Sequence, residues 1–230
     1  MSELILALDV PRATDALRLV DRLPDLQWVK IGPVLMTREG PGVVRTLIGR
    51  GLKVFLDLKW HDIPNTVAGA VTAARELGVS MATVHTLGGG AMLEAATVAA
   101  AGDVALVGVT VLTSHEPSSY ARAIGRTEVD LPHEVERLGL IAAEAGLRGV
   151  VCSPQEVSLL RRRLGPDVYI VVPGIRRRTD AVGDQVRVAT ARDAVNNGAT
   201  HLVVGRPVLQ AEDPAVAFQE FLKEARCISS

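Results

Sequence analysis

Lys53-Val54-Phe55-Leu56-Asp57-Leu58-Lys59 leads through Trp60-His61-Asp62-Ile63-Pro64-Asn65 into Thr66–Leu77, then Gly78 and a new run, Met81–Thr86. The opening run is apolar and rich in strand formers, and the segment after it is polar. Thr66–Leu77 carries apolar residues at three- and four-residue spacing, which predicts a helix. Gly78 fits the left-handed cap that ends many helices. Reading outward, further candidate strands lie at Leu4–Val10, Trp28–Gly32, Ala105–Leu112, Gly149–Ser153, Tyr169–Gly174 and His201–Gly205, which makes eight. Helical stretches separate them, among them Glu134–Ala145 and Ala191–Asn197, closed by Gly146 and Gly198.

Alternating strands and helices imply right-handed βαβ units and a parallel sheet. Eight units predict an α/β fold with one closed (β/α)8 TIM barrel, a single domain over residues 1–230 with a polar tail from about 226. A doubly wound open sheet is the alternative. It expects a glycine-rich nucleotide fingerprint after the first strand, where Asp9-Val10-Pro11-Arg12 stands instead. The two longest connections, Thr113 to about Pro132 and Arg176 to about Val188, follow strand ends. Barrel enzymes build their sites on that face, and long loops there usually serve function.

With 25 basic and 26 acidic side chains, the chain lacks the basic excess that nucleic-acid binders use to neutralise phosphates. Aromatics at 3% leave few platforms for stacking bases, so no nucleic-acid partner is expected. A small anionic substrate is compatible with this balance, since a local pair of basic groups suffices. Cys152, in Gly149-Val150-Val151-Cys152, reads as a buried inert thiol, and Cys227 lies in the polar tail, so no disulfide framework is expected. Met1-Ser2-Glu3-Leu4 lacks the basic start and apolar core of a signal peptide, and no apolar stretch approaches the ~20 residues of a membrane span. A cytoplasmic protein without a membrane partner is expected.

Strand side chains alternate, so Asp57 and Lys59 share one side while Leu56 and Leu58 face the helices. An isolated Asp-x-Lys reads as a surface ion pair. Here Asp9 ends the first strand and Lys30 lies inside the second, and charges within strands are costly unless paired. Asp9, Lys30, Asp57, Lys59 and Asp62 are therefore expected to form one network of alternating charge at the barrel mouth. Barrels often bind phosphate with the loops after the last two strands, which here carry Pro173-Gly174-Ile175-Arg176 and Val204-Gly205-Arg206-Pro207. Gly205 admits close backbone approach and Arg206 can bridge two phosphate oxygens, whereas Arg177 and Arg178 read as a solvated charge run. His85 reads as a satisfied strand-end histidine. His61 lacks metal-ligand partners at useful spacing. Gly88-Gly89-Gly90, without the Lys-Ser/Thr of a phosphate loop, reads as a helix start.

Asp57-x-Lys59-x-x-Asp62-Ile63-Pro64-Asn65-Thr66 resembles the signature of orotidine 5′-phosphate decarboxylases. Further blocks follow that family in order: Leu6-Ala7-Leu8-Asp9, Val29-Lys30-Ile31-Gly32, Val109-Thr110-Val111-Leu112-Thr113-Ser114, Pro173-Gly174-Ile175-Arg176, Gly183-Asp184-Gln185-Val186-Arg187 and Val204-Gly205-Arg206-Pro207. The resemblance implies cofactor-free, metal-free conversion of orotidine 5′-monophosphate to uridine 5′-monophosphate and CO₂, the last step of de novo pyrimidine synthesis. It makes Lys59 the proton donor to C6 and sets Asp57 beside the departing carboxylate. It assigns Asp9 and Lys30 to the ribose, Thr113 to the pyrimidine edge, and Gln185, Gly205 and Arg206 to the phosphate, with Arg176 on the same loop. It also implies a homodimer in which Asp62 and Thr66 reach into the neighbouring subunit's site. Magnesium-dependent sugar-phosphate relatives are the alternative. They share the Asp-x-Lys-x-x-Asp strand but place a metal-binding glutamate where Lys30 stands, a cation that would repel the metal. A non-catalytic nucleotide-binding barrel, the third reading, does not call for a complete charged network.

Overall fold

Eight parallel strands close into one barrel in chain order in the computed structural model, which describes residues 2–177 and 187–226. They are β1 (Glu3–Ala7), β2 (Trp28–Ile31), β3 (Lys53–Trp60), β4 (Met81–His85), β5 (Ala105–Val109), β6 (Gly149–Val151), β7 (Tyr169–Val172) and β8 (His201–Val204). β1 closes the ring by pairing with β8, Leu4 opposite Leu202. Most strands end earlier than their apolar runs: β1 stops at Ala7 rather than Val10, and β5 at Val109 rather than Leu112. Leu8, Val111 and Ile175 lie beyond the ladders yet remain buried, so burial rather than pairing keeps these positions apolar. β3 alone runs one residue past its expected end, to Trp60.

Period-two alternation sorts each strand between two cores. Ile5, Ala7, Trp28, Phe55, Met81, Val107, Val171 and Val203 pack against one another inside the ring. Their strand neighbours Leu4, Leu6, Val29, Val54, Leu56, Leu106, Ile170 and Leu202 join the larger core beneath the helices. The inner cluster plugs the barrel, leaving the strand C-terminal ends as the open face. Truncating Phe55, which is 2% exposed at the centre of that plug, is expected to cost about 3–5 kcal/mol.

Several returns from helix to strand reuse one turn. The helix Pro64–Glu76 ends at Gly78, whose φ of 80° suits glycine. The Gly78 N–H donates to the Arg75 carbonyl at 2.9 Å and the Val79 N–H to that of Ala74 at 3.3 Å, which delivers Val79 to the core. The same bond pair recurs at Gly146–Leu147 and at Gly198–Ala199. This helix starts at Pro64 rather than Thr66, because proline needs no N–H partner in a first turn. The connection after Thr113 contains a short helix, Pro117–Ala123, whose buried Tyr120 hydroxyl donates to Glu134 at 3.1 Å. Glu134 belongs to the helix Leu131–Glu144, which begins before the expected Glu134 because Asp130 caps it through the His133 N–H. The hydrogen bond from Arg137 holds the Glu134 carboxyl below the ordinary range, and burial beside that carboxylate pushes Tyr120 up to about 12. Most of the second long connection, residues 178–186, lies outside the described residues. Among the described residues no helix is long and apolar enough to cross a membrane.

Candidate active site

Above the apolar plug the inward positions of β1–β3 turn polar, and together with apolar residues of the far side such as Val109 and Val151 they line an open cavity of about 550 Å³. That size suits one small-molecule ligand. Lys30 Nζ lies 3.1 Å from Asp9 Oδ1 and 3.5 Å from Asp57 Oδ2, and Lys59 Nζ lies 2.8 Å from Asp57 Oδ1. The order Asp9–Lys30–Asp57–Lys59 therefore alternates in sign across β1, β2 and β3. Burial by itself pushes the Asp57 carboxyl up, but Lys30, Lys59 and the Thr83 hydroxyl together outweigh it and hold the group below the usual carboxylate range. The two lysines differ in what remains open. The Lys30 side chain, 11% exposed, is enclosed between two carboxylates. The Lys59 side chain, 36% exposed, keeps its ammonium turned to the cavity.

β3 does not reach the mouth as a regular strand. Its register against β4 passes from Leu56↔Ala82 directly to Trp60↔Val84, so β3 bulges across Asp57, Leu58 and Lys59. Lys59 sits in the bulge at φ 52°, a left-handed conformation that costs an ordinary residue roughly 1–2 kcal/mol. Its N–H finds the Thr83 hydroxyl at 2.8 Å, and that hydroxyl donates to Asp57 Oδ1 at 3.1 Å.

The opposite rim belongs to β5 through β8. Thr113, Arg176, Gly205 and Arg206 line the same cavity, and Arg206 opens a short helix, Arg206–Leu209, directly after Gly205. Arg176 is 7% exposed; its N–H donates to the Ala189 carbonyl at 3.0 Å and the Ala189 N–H to that of Gly174 at 3.4 Å, which ties the two ends of the loop. Behind this rim lies a second, buried ion pair. Glu156 meets Arg187 and also accepts the Ser153 N–H at 3.0 Å. Arg187 Nη2 donates to the Leu112 carbonyl at 3.1 Å, which fastens the residue before Thr113.

The sequence matches the family described as "Orotidine 5'-phosphate decarboxylase / HUMPS family" over residues 2–221. The chain belongs to this family. It is 50% identical over 222 residues to the orotidine 5′-phosphate decarboxylase of Halorhodospira halophila, covering 93% of this chain and 92% of that protein. Over 227 residues it is 49% identical to the orotidine 5′-phosphate decarboxylase of Alkalilimnicola ehrlichii, covering 97% and 96% of the two chains. The fold is similar to the crystal structure of orotidine 5′-phosphate decarboxylase from Lactobacillus acidophilus, at TM-score 0.87 and 33% identity over 99% of this chain and 100% of that one.

Of the residues the family resemblance assigns, Asp9, Lys30, Asp57, Lys59, Thr113, Arg176, Gly205 and Arg206 meet in one cavity. Asp62 and Thr66 do not join the lining: both are exposed, and the Asp62 carboxylate accepts the neighbouring Ile63 N–H at 2.6 Å. Gln185 and Arg178 lie outside the described residues. Arg177 pairs with Glu220 at 3.1 Å and donates to the Pro207 carbonyl at 3.4 Å, so it is tied to the protein rather than left as a solvated charge. Cys152 borders the cavity but is 1% exposed, and burial pushes its thiol well above the usual range, so it is a poor nucleophile. His85 ends β4, accepts the Leu87 N–H at 3.3 Å and stacks on His61 at 5.4 Å. Burial, with His61 and Lys59 close by, pushes His85 down to about 4. Gly88 ends a 3₁₀ turn and Gly89 opens the helix Gly89–Ala100. The motifs assign no role to Thr83, Gly32 or the Glu156–Arg187 pair, although Gly32 and Arg187 stand inside the family blocks. A Cβ on Gly32 would stand 3.2 Å from Lys30 Nζ and 3.3 Å from Asp9 Oδ1, so glycine there keeps room for the pair. Ser153-x-x-Glu156 carries the spacing of a capping box, the one sequence signal that marks Glu156.

Proposed function

We propose that this chain decarboxylates orotidine 5′-monophosphate to uridine 5′-monophosphate and CO₂, the last step of de novo UMP synthesis, at the barrel mouth. The carrying observation is the open ammonium of Lys59, held at 2.8 Å by an Asp57 that is itself fixed by Lys30 and Thr83. As the C6–carboxylate bond breaks, its electron pair stays on C6, which has no adjacent carbonyl to delocalise it. An ammonium pre-positioned there stabilises that charge and then delivers its proton to C6. Asp57 stands beside the departing carboxylate, so repulsion there falls as CO₂ leaves. Asp9 and Lys30 hold the ribose, and Thr113 the pyrimidine edge. Arg206, the Gly205 N–H and Gln185, with Arg176, grip the phosphate far from the reacting carbon. Binding energy from that remote group can then be used to organise the charged mouth.

Lys30 also separates this reading from the magnesium-dependent sugar-phosphate relatives. Its ammonium fills the place of a metal-binding carboxylate and is bonded to Asp9 at 3.1 Å. Loss of orotidine 5′-monophosphate is followed by ultraviolet absorbance, before and after treatment with a chelator. Equal turnover in both conditions is expected. Turnover that vanishes with the chelator, or that appears only on a 3-keto sugar phosphate, overturns the reading.

The enzyme acts in the cytoplasm as a homodimer in which Asp62 and Thr66, exposed at the start of the helix after β3, complete the partner's site. Mixing Lys59→Ala with Asp62→Ala subunits tests this, because one site of each mixed dimer then carries neither defect. Random exchange should return about a quarter of all sites to wild-type chemistry. A flat activity trace, with exchange confirmed by mass, rejects the shared site while sparing the decarboxylase assignment.

A further inference from the structure

We infer that Thr83, on β4, is a positioning residue for the reaction, setting both the backbone and the ammonium of Lys59 through one hydroxyl. The inference rests on the decarboxylase reading for its kinetic part only. Thr83 is 0% exposed and projects into the barrel opposite the β3 bulge, between Ala82 and Val84, which pair with Leu56 and Trp60. Within the bulge the Lys59 N–H bonds to the Thr83 hydroxyl at 2.8 Å. An amide N–H only donates and a carboxylate only accepts, so the hydroxyl's single hydrogen is committed to Asp57 Oδ1, 3.1 Å away. That same oxygen receives Lys59 Nζ at 2.8 Å. The result is a ring: Lys59 backbone to Thr83, Thr83 to Asp57, Asp57 back to the Lys59 ammonium.

Such a ring accounts for a left-handed lysine at φ 52° in a strand. Conformations of this kind persist only where the surroundings over-determine them, and they gather at sites of function. A hydrophobic residue of the same shape would satisfy packing at this position but neither hydrogen bond. Thr83 therefore links the alternating charges of β1–β3 to β4, which contributes no charge of its own to the network.

Thr83→Val keeps volume and branching while removing the hydroxyl, and Thr83→Ser keeps the hydroxyl while removing the methyl. Thr83→Val is expected to lower kcat by about 10–100-fold, the effect of losing a hydrogen bond to a charged group, with KM and UMP affinity within about threefold. Loss of a donor to Asp57 should also move the acid limb of the kcat profile to higher pH, which a packing defect would not do. Thr83→Ser should recover turnover to within about threefold of wild type. If Thr83→Val does not fold, Thr83→Ala replaces it in the same comparison. A crystal structure of the variant supplies a readout independent of turnover: Lys59 should leave the left-handed region and its ammonium should move off Asp57. Unchanged kcat in Thr83→Val, a Thr83→Ser as impaired as the valine variant, or an unmoved Lys59 overturns the inference. A wild-type protein inactive on orotidine 5′-monophosphate rejects the decarboxylase reading instead, and the variant's Lys59 geometry still decides the role of Thr83.

Discussion

Two charged networks sit within the same barrel and serve different ends. At the β1–β3 mouth, Asp9, Lys30, Asp57 and Lys59 alternate in sign, and Lys59 keeps a free face toward the cavity. Behind the β5–β7 rim, Glu156 and Arg187 are 4% and 6% exposed and spend their bonds on protein partners: the Ser153 N–H, the Leu112 carbonyl and each other. Burial and charge alone would rank the second pair above the first. What separates them is where the open donor points: Lys59 turns its ammonium into the barrel-mouth cavity, whereas Arg187 Nε is buried without a hydrogen-bond partner among the described residues, and the pair's other bonds hold loops in place.

Breaking each network should therefore show in a different measurement. Lys59→Ala is expected to lower turnover by more than ~10⁴, beyond ordinary acid catalysis, while thermal stability changes little because the buried Asp57 keeps Lys30 and the Thr83 hydroxyl as partners. Arg187→Ala should do the reverse. It strands Glu156 as a buried charge, which costs about 3–5 kcal/mol and lowers Tm by about 6–20 °C in calorimetry. Pairing Glu156→Gln with Arg187→Met should cost less than Arg187→Ala alone, since no uncompensated charge remains. Arg206→Ala probes the proposed phosphate grip and should reduce kcat/KM by about 10–100-fold. The loss should shrink on orotidine lacking its phosphate, whereas an equal loss on both substrates would assign Arg206 to the fold.

The smallest effect concerns the closed end of the barrel. Burial, then Lys53, pushes His201 down to about 4 from an ordinary 6.5, so the folded protein holds it neutral. Between those two values the unfolded chain binds a proton that the folded chain does not, so stability falls as pH drops through that window. Histidine NMR should show no His201 titration near pH 6, and His201→Gln should flatten the acid limb of the stability curve. A His201 resonance that titrates at its ordinary value contradicts this account.

Barrel closure was legible because period-two and 3.6-residue patterns alternate cleanly, and the charges at Asp9, Lys30, Asp57, Lys59 and Arg206 stand out against apolar strands. Strand ends were not legible, since Leu8 and Val111 stay apolar for helix contact after ladder pairing stops. The β3 bulge left no trace either: Leu56–Trp60 alternates as a plain strand would, and the slip exists only relative to β4. Thr83 was hidden for the same reason, a strand-forming residue whose hydroxyl matters only once Asp57 and Lys59 face it. The Glu156–Arg187 pair joins segments that the fold alone brings together.

Whether an ammonium at position 59 carries the reaction is decided by removing it and putting it back. Lys59→Cys combined with Cys227→Ser leaves Cys152 as the other thiol, and that one is buried with its ionisation pushed far up, so it resists alkylation. Treatment with 2-bromoethylamine then converts the new cysteine into a near copy of lysine, and iodoacetamide converts it into a neutral amide. Lys59→Cys should be nearly inactive on orotidine 5′-monophosphate, the aminoethylated protein should regain turnover, and the amide should not. Turnover within tenfold of wild type before alkylation, or equal recovery with the neutral amide, would contradict that role for the ammonium.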